Sequence, residues 1–257
     1  MNIFQAFRYW PPVTKNILMV NLIFWAFLNI ARMFSPSAYD AAENLLALHY
    51  FSSPHFNPVQ LFTYMFMQVD FLHLLFNMFA VFMFGMTLER VMGSKRFLFY
   101  YISCGLGAAF IQLGVFAIMI AKEQAALPAA ELPLIMETIK TQGADIIARG
   151  MNYADPVIGA INSYINTSVI GASGCVFGVL LAFGFLFPRQ PLYLFFIPVP
   201  IQARWFVIGY GAIELLQGLA NNPGDNVAHF AHLGGMLIGF IILLIWKKRG
   251  IFGGPRY

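Results

Sequence analysis

The sequence predicts an all-α, polytopic membrane protein of six transmembrane helices with both termini in the cytoplasm, and three observations carry that prediction. The chain is 60% apolar and 10% charged, whereas soluble domains carry about 25% charged residues. A folded surface this poor in charge calls for lipid as its solvent. Six apolar stretches, 17–34, 71–91, 97–121, 168–187, 201–220 and 227–246, approach or reach the roughly 20 helical residues that span a bilayer core. With the N-terminus inside, eleven basic residues fall on the inner side (Arg8, Lys15, Arg90, Lys95, Arg96, Arg189, Arg204, Lys247, Lys248, Arg249, Arg256) and four on the outer side (Arg32, Lys122, Lys140, Arg149). That bias matches the retention of Lys and Arg in cytoplasmic loops.

The elements follow in order. Residues 1–16, with Trp10-Pro11-Pro12, lack the order of a cleavable signal and read as a cytoplasmic segment. Residues 17–247 form one membrane domain, and 248–257 a cytoplasmic tail. The outer connections are 35–70, 122–167 and 221–226, which puts the starts of spans two, four and six at the outer surface. Within the long insertion at about 122–167, the spacing of Leu132, Ile135, Ile139 and Ile146 fits an amphipathic helix on the outer leaflet, with a flexible polar insertion as the equal alternative. Cys104 and Cys175 lie singly in apolar stretches and read as packing residues. The net charge of +4 is spread between apolar runs as topology signals, so no nucleic-acid partner is expected.

Polar side chains are costly in hydrocarbon, so those that stand there face a bundle interior or a wet cavity. Span two opens on His73 and Asn77, at an i, i+4 spacing that shares one helical face. Span four opens on Gly171-Ala172-Ser173-Gly174. Span six opens on Ala228-His229-Phe230-Ala231-His232-Leu233-Gly234-Gly235, followed by Gly239. A serine hydroxyl becomes a nucleophile when a base takes its proton, and the resulting oxyanion needs hydrogen-bond donors. Ser173 supplies the hydroxyl and one histidine of span six the base; the Ser173 N–H, His73 and Asn77 supply donors. Glycines around Ser173 permit close approach of a substrate chain, and those after His232 permit close helix packing.

Other readings attach to single residues. His229 and His232 at i, i+3 suggest a metal pair, but no cysteine or carboxylate stands at ligand spacing, so neither metal nor cofactor is expected. Glu214, in the outer half of span five, reads as a structural residue reaching the loop with Gln217; a substrate contact or proton relay are the other readings. Glu89 with Arg90 reads as a helix-end ion pair.

His-x-x-x-Asn, Gly-x-Ser-Gly and Ala-His-x-x-Gly, in that order on alternate helices, resemble the rhomboid intramembrane proteases of the bacterial type, over about residues 56–246. Gly85 with Glu89, and Gly93-Ser94, match further. The resemblance implies a six-helix rhomboid bundle and a serine endopeptidase that cuts transmembrane protein substrates in or near the membrane lipid. It implies Ser173 as nucleophile and His232 rather than His229 as base, because Gly235 and Gly239 follow at the family's offsets. His73 and Asn77 take the oxyanion role, Phe177 stacks on His232, and Gly171, Gly174 and Gly235 support the site. Lateral admission of substrate past span five and residence in a bacterial inner membrane follow from the same resemblance. The chain departs from the family at Gln68, where a histidine is common, in lacking a Trp-Arg pair in the first outer loop, and in the length of 122–167. Two other functions fit parts of the pattern. A non-catalytic relative that binds transmembrane helices usually lacks the serine or histidine; a transporter or channel needs polar residues through the inner halves of the spans as well.

Overall fold

A computed structural model describes residues 9–193, 199–220 and 227–252. The short connection 221–226, most of the N-terminal segment with Arg8, and the end of the tail with Arg256 lie outside the described residues. The fold is all-α and polytopic. Its helices are α1 (Pro12–Phe34), α2 (Pro36–Leu46), α3 (Phe71–Met92), α4 (Ser94–Gln124), α5 (Leu132–Ala148), α6 (Pro156–Asn166), α7 (Ser173–Leu186), α8 (Ala203–Ala220) and α9 (His229–Lys248). A two-residue antiparallel ladder, β1 (Pro191–Leu192) with β2 (Ile201–Gln202), leads into α8. Four helices, α1, α3, α4 and α9, are long and apolar enough to cross a membrane, and α7 is a shorter apolar helix.

The bundle is organised around α4, whose buried face carries small residues at its middle, Cys104, Gly105, Gly107, Ala108 and Ala109. A Cβ placed on Gly107 would run into Ile238 of α9, and one on Gly105 would lie 2.6 Å from the Cys175 sulfur of α7. Backbones can therefore approach closely, which is how helices gain packing energy where lipid already solvates apolar side chains. Tyr64 and Tyr100, both fully buried, donate their hydroxyls to the carbonyls of Gly105 (2.7 Å) and Gly178 (2.8 Å). Cys104 and Cys175 are free and buried in this core, as packing residues would be.

Helix α1 begins at Pro12 with no side-chain cap of its own, and the cap comes from another helix. Glu89 of α3 accepts from the Val13 N–H (3.0 Å), the Thr14 N–H (2.7 Å), the Thr14 hydroxyl (2.8 Å) and the Ser94 hydroxyl (2.7 Å). The expected partner Arg90 is exposed while Glu89 is buried. The orphan donors of a helix N-terminus and its positive dipole end are the physical reason that a carboxylate settles there. One side chain thus ties α1, α3 and α4. Glu89→Ala is expected to lower stability by about 3 kcal/mol, since it strands several donors at once; thermal unfolding in detergent measures it, with Glu89→Gln intermediate.

Two sequence boundaries are corrected. Span four does not start at Ser168. Residues 168–172 are not helical: Val169 is bridged to Leu48 of the first connection, and Gly171 at φ +134° donates its N–H to the Tyr64 carbonyl. That conformation suits glycine and stops a helix from continuing upstream. Helix α7 therefore has 14 residues and rises only about 21 Å, short of a hydrocarbon core of about 30 Å. The insertion, in turn, is an ordered pair of helices. Ile139 of α5 and Ile161 and Ile165 of α6 form a second core with Ile120 of α4, and Asn166 donates to Asn162 (2.9 Å) and accepts from Ser53 (3.2 Å). The apolar face of α5 is therefore used against α6.

Candidate active site

Helix α7 opens on Ser173, two residues after the bend at Gly171. The Ser173 Oγ lies 2.7 Å from Nε2 of His232, which projects from the first turn of α9. The two helices meet through glycine. A Cβ on Gly235 would collide with the Gly174 carbonyl oxygen, and one on Gly178 would lie 3.3 Å from the Gly235 carbonyl oxygen. The ring of Phe177, one turn after Ser173, stacks on the His232 imidazole at 4.3 Å and 9°. Tyr210 of α8 packs against Phe177 at 4.8 Å.

His73 and Asn77 stand on α3, whose first turn is capped by Asp70 accepting from the His73 N–H (2.8 Å). His73 Nδ1 accepts from the Val69 N–H (3.2 Å), which leaves the ring proton on Nε2 as a donor. A Cβ on Gly171 would lie 3.1 Å from that Nε2 and 3.5 Å from Ser173 Oγ. The missing side chain at 171 thus lets the His73 imidazole and the Ser173 hydroxyl stand on either side of the Gly171 backbone. Asn77 is buried and gives one amide N–H to Gln68 Oε1 (2.8 Å), leaving its second for another acceptor. Gln68 donates in turn to Asn21 Oδ1 (2.9 Å), and Asn21 to the Ile17 carbonyl (2.9 Å). Gln68 is therefore a brace that orients Asn77 from α1.

Sequence reasoning missed one residue of this cluster. Glu214 of α8 is buried, and its Oε2 stands 2.7 Å from Nδ1 of His232 and 2.7 Å from Nδ1 of His229. Its expected companion Gln217 is exposed instead. Glu214, His229 and His232 also bring three potential metal-ligand atoms within 4.8 Å of one another. The carboxylate that spacing along the chain did not supply comes across from the neighbouring helix. Chemically, the arrangement is a hydroxyl on an imidazole on a carboxylate, a chain able to draw a proton off the hydroxyl. The sequence carried one signal for it: a carboxylate inside an apolar span is costly and seeks an interior partner.

A family model described as Rhomboid domain matches residues 55–122 and 146–249. The unmatched interval holds most of α5. Over 183 residues the chain is 32% identical to the RHOMBOID-like protein 12, mitochondrial, of Arabidopsis thaliana, covering 70% of this chain and 44% of that protein. Over 92 residues it is 32% identical to an uncharacterized mitochondrial rhomboid protein of Schizosaccharomyces pombe, covering 34% of this chain and 23% of that one. The chain spans less than half the length of either relative. Both are mitochondrial by name, which lends no support to the bacterial inner membrane expected from the sequence.

Proposed function

We propose that this chain, which belongs to the rhomboid family, is an intramembrane serine endopeptidase that cuts the transmembrane segments of other membrane proteins. The observation that carries the reading is the 2.7 Å contact between Ser173 Oγ and His232 Nε2. Ser173 Oγ attacks the scissile carbonyl while His232 takes its proton at Nε2. The carbonyl oxygen, now negative, is held by the Ser173 N–H at the start of α7 and by His73 Nε2–H and Asn77 Nδ2–H. His232 returns the proton to the leaving amine, an acyl-serine remains, and a water activated by the same imidazole releases it.

The topology belongs to the same proposal: α1, α3, α4, α7, α8 and α9 cross the membrane with both termini cytoplasmic, within a membrane domain of residues 17–247. The short α7 and its non-helical lead-in then set Ser173 below the outer surface, where water arrives from the loops and a substrate helix frays. Substrate enters laterally past α8. The compartment is a bacterial inner membrane or, following the relatives' names, a mitochondrial one; fractionation of a tagged chain decides.

The test reconstitutes the purified chain in vesicles with a single-span protein substrate and maps the products by mass spectrometry. Cleavage near the outer end of the span, with a fluorophosphonate labelling Ser173, is the expected result. Intact substrate together with an unlabelled serine would leave a helix-binding protein. In the same assay Asn77→Ala is expected to slow turnover roughly a hundredfold while the chain still folds, with a modest fall in unfolding temperature because Gln68 Oε1 loses its donor. An unaltered rate removes Asn77 from the oxyanion role.

A further inference from the structure

We propose that Glu214 is the positioning residue of this site, fixing the tautomer and orientation of His232, and that His229 fixes Glu214 in turn; the proposal rests on the protease reading above. To accept the Ser173 proton, His232 must keep a lone pair on Nε2, so its ring proton must sit on Nδ1. An Nδ1–H buried in an apolar bundle needs an acceptor, and Glu214 Oε2 stands there at 2.7 Å. Were the carboxyl protonated, it would donate to Nδ1 and drive the ring proton to Nε2. That nitrogen would then donate to Ser173 and be useless as a base.

What keeps the carboxylate charged is a second donor. His229 Nδ1 lies 2.7 Å from the same Oε2, so one oxygen accepts from two imidazoles. A buried carboxylate is tolerable when such donors surround it. When His232 takes the serine proton, the imidazolium forms beside an anion already in place.

The placement of α8 supports the assignment independently. Gly211, Glu214 and Gly218, at i−3, i and i+4, share one face. A Cβ on Gly218 would lie 3.0 Å from the Phe230 ring and 3.3 Å from His229 Cβ, and one on Gly211 would lie 3.1 Å from Met236. Small residues on both sides of Glu214 let α8 approach α9 closely enough for its carboxylate to reach both histidines.

A purely structural tie between α8 and α9 makes a different prediction. Glu214→Gln keeps the size and the ability to hydrogen bond, but offers His232 an amide donor or a neutral acceptor in place of an anion. With the single-span substrate, Glu214→Gln is expected to lower kcat by at least about a hundredfold with KM and unfolding temperature unchanged. Fluorophosphonate labelling of Ser173 should slow in parallel, and Glu214→Asp should recover part of the loss. His229→Ala is expected to cost about tenfold in kcat. Wild-type kcat and labelling in Glu214→Gln overturn the inference. If Ser173→Ala is inactive beside it, only the Glu214 inference falls; if Ser173→Ala cuts normally, the protease reading falls first. Should Glu214→Gln fail to fold, ¹⁵N-histidine NMR of the wild-type protein reads the tautomer directly. His232 protonated at Nδ1 is expected, and a neutral ring protonated at Nε2 overturns the proposal.

Discussion

Ser173→Ala is expected to abolish cleavage of a reconstituted single-span substrate, with kcat falling by about a millionfold, while the chain still folds and still binds substrate. His232→Ala should fall as far, and the double variant no further, because the hydroxyl is a nucleophile only with its base and every later task of the base acts on what that hydroxyl has attacked. The 2.7 Å contact that motivates this joins the first turns of α7 and α9. Ser173 is only partly buried, so losing its oxygen opens little cavity and the unfolding temperature should hardly move. Kinetics beside thermal unfolding make the measurement. Two variants that cut as fast as wild type would sink the assignment.

Gly235→Ala is expected to be the most damaging single methyl in the chain. Its Cβ would occupy the place of the Gly174 carbonyl oxygen, and a backbone atom cannot swing aside as a side-chain tip can. The helices must separate, at about 1–3 kcal/mol. The shift is passed to residues one position from Ser173 and three from His232, so kcat should drop at least about a hundredfold. Gly114→Ala on α4 is the control. Nothing lies within 4 Å of a Cβ there, so a better helix former should leave activity intact and stability equal or higher. Comparable behaviour of the two variants would show that close α7–α9 packing does not set the site.

Much of this was legible in the sequence because lipid simplifies the code. Long apolar runs located α1, α3, α4 and α9, and the structure sets Ser173 against His232 and brings His73 to the same bend at Gly171. What was illegible depends on contacts between distant segments. Nothing in the run from Ser168 says that Val169 pairs with Leu48, so the start of α7 was read five residues early. The apolar spacing on α5 was visible, but amphipathicity does not say whether lipid or another helix covers the face; α6 does. Glu89 was paired with its sequence neighbour, although three of the four donors that hold it are 75 or 76 residues away. Glu214 is 18 residues from His232, and the one sign of the link was a carboxylate standing inside an apolar span.

Ten of the 14 residues of α7 are buried by its neighbours, so lipid sees little of it and cannot slide it up or down. A substrate helix, by contrast, floats at a height dictated by bilayer thickness. On the protease reading proposed above, changing acyl-chain length should therefore move a substrate past a fixed serine, about one residue for every 1.5 Å of vertical shift. The position of the cut is then expected to depend partly on the surrounding lipid.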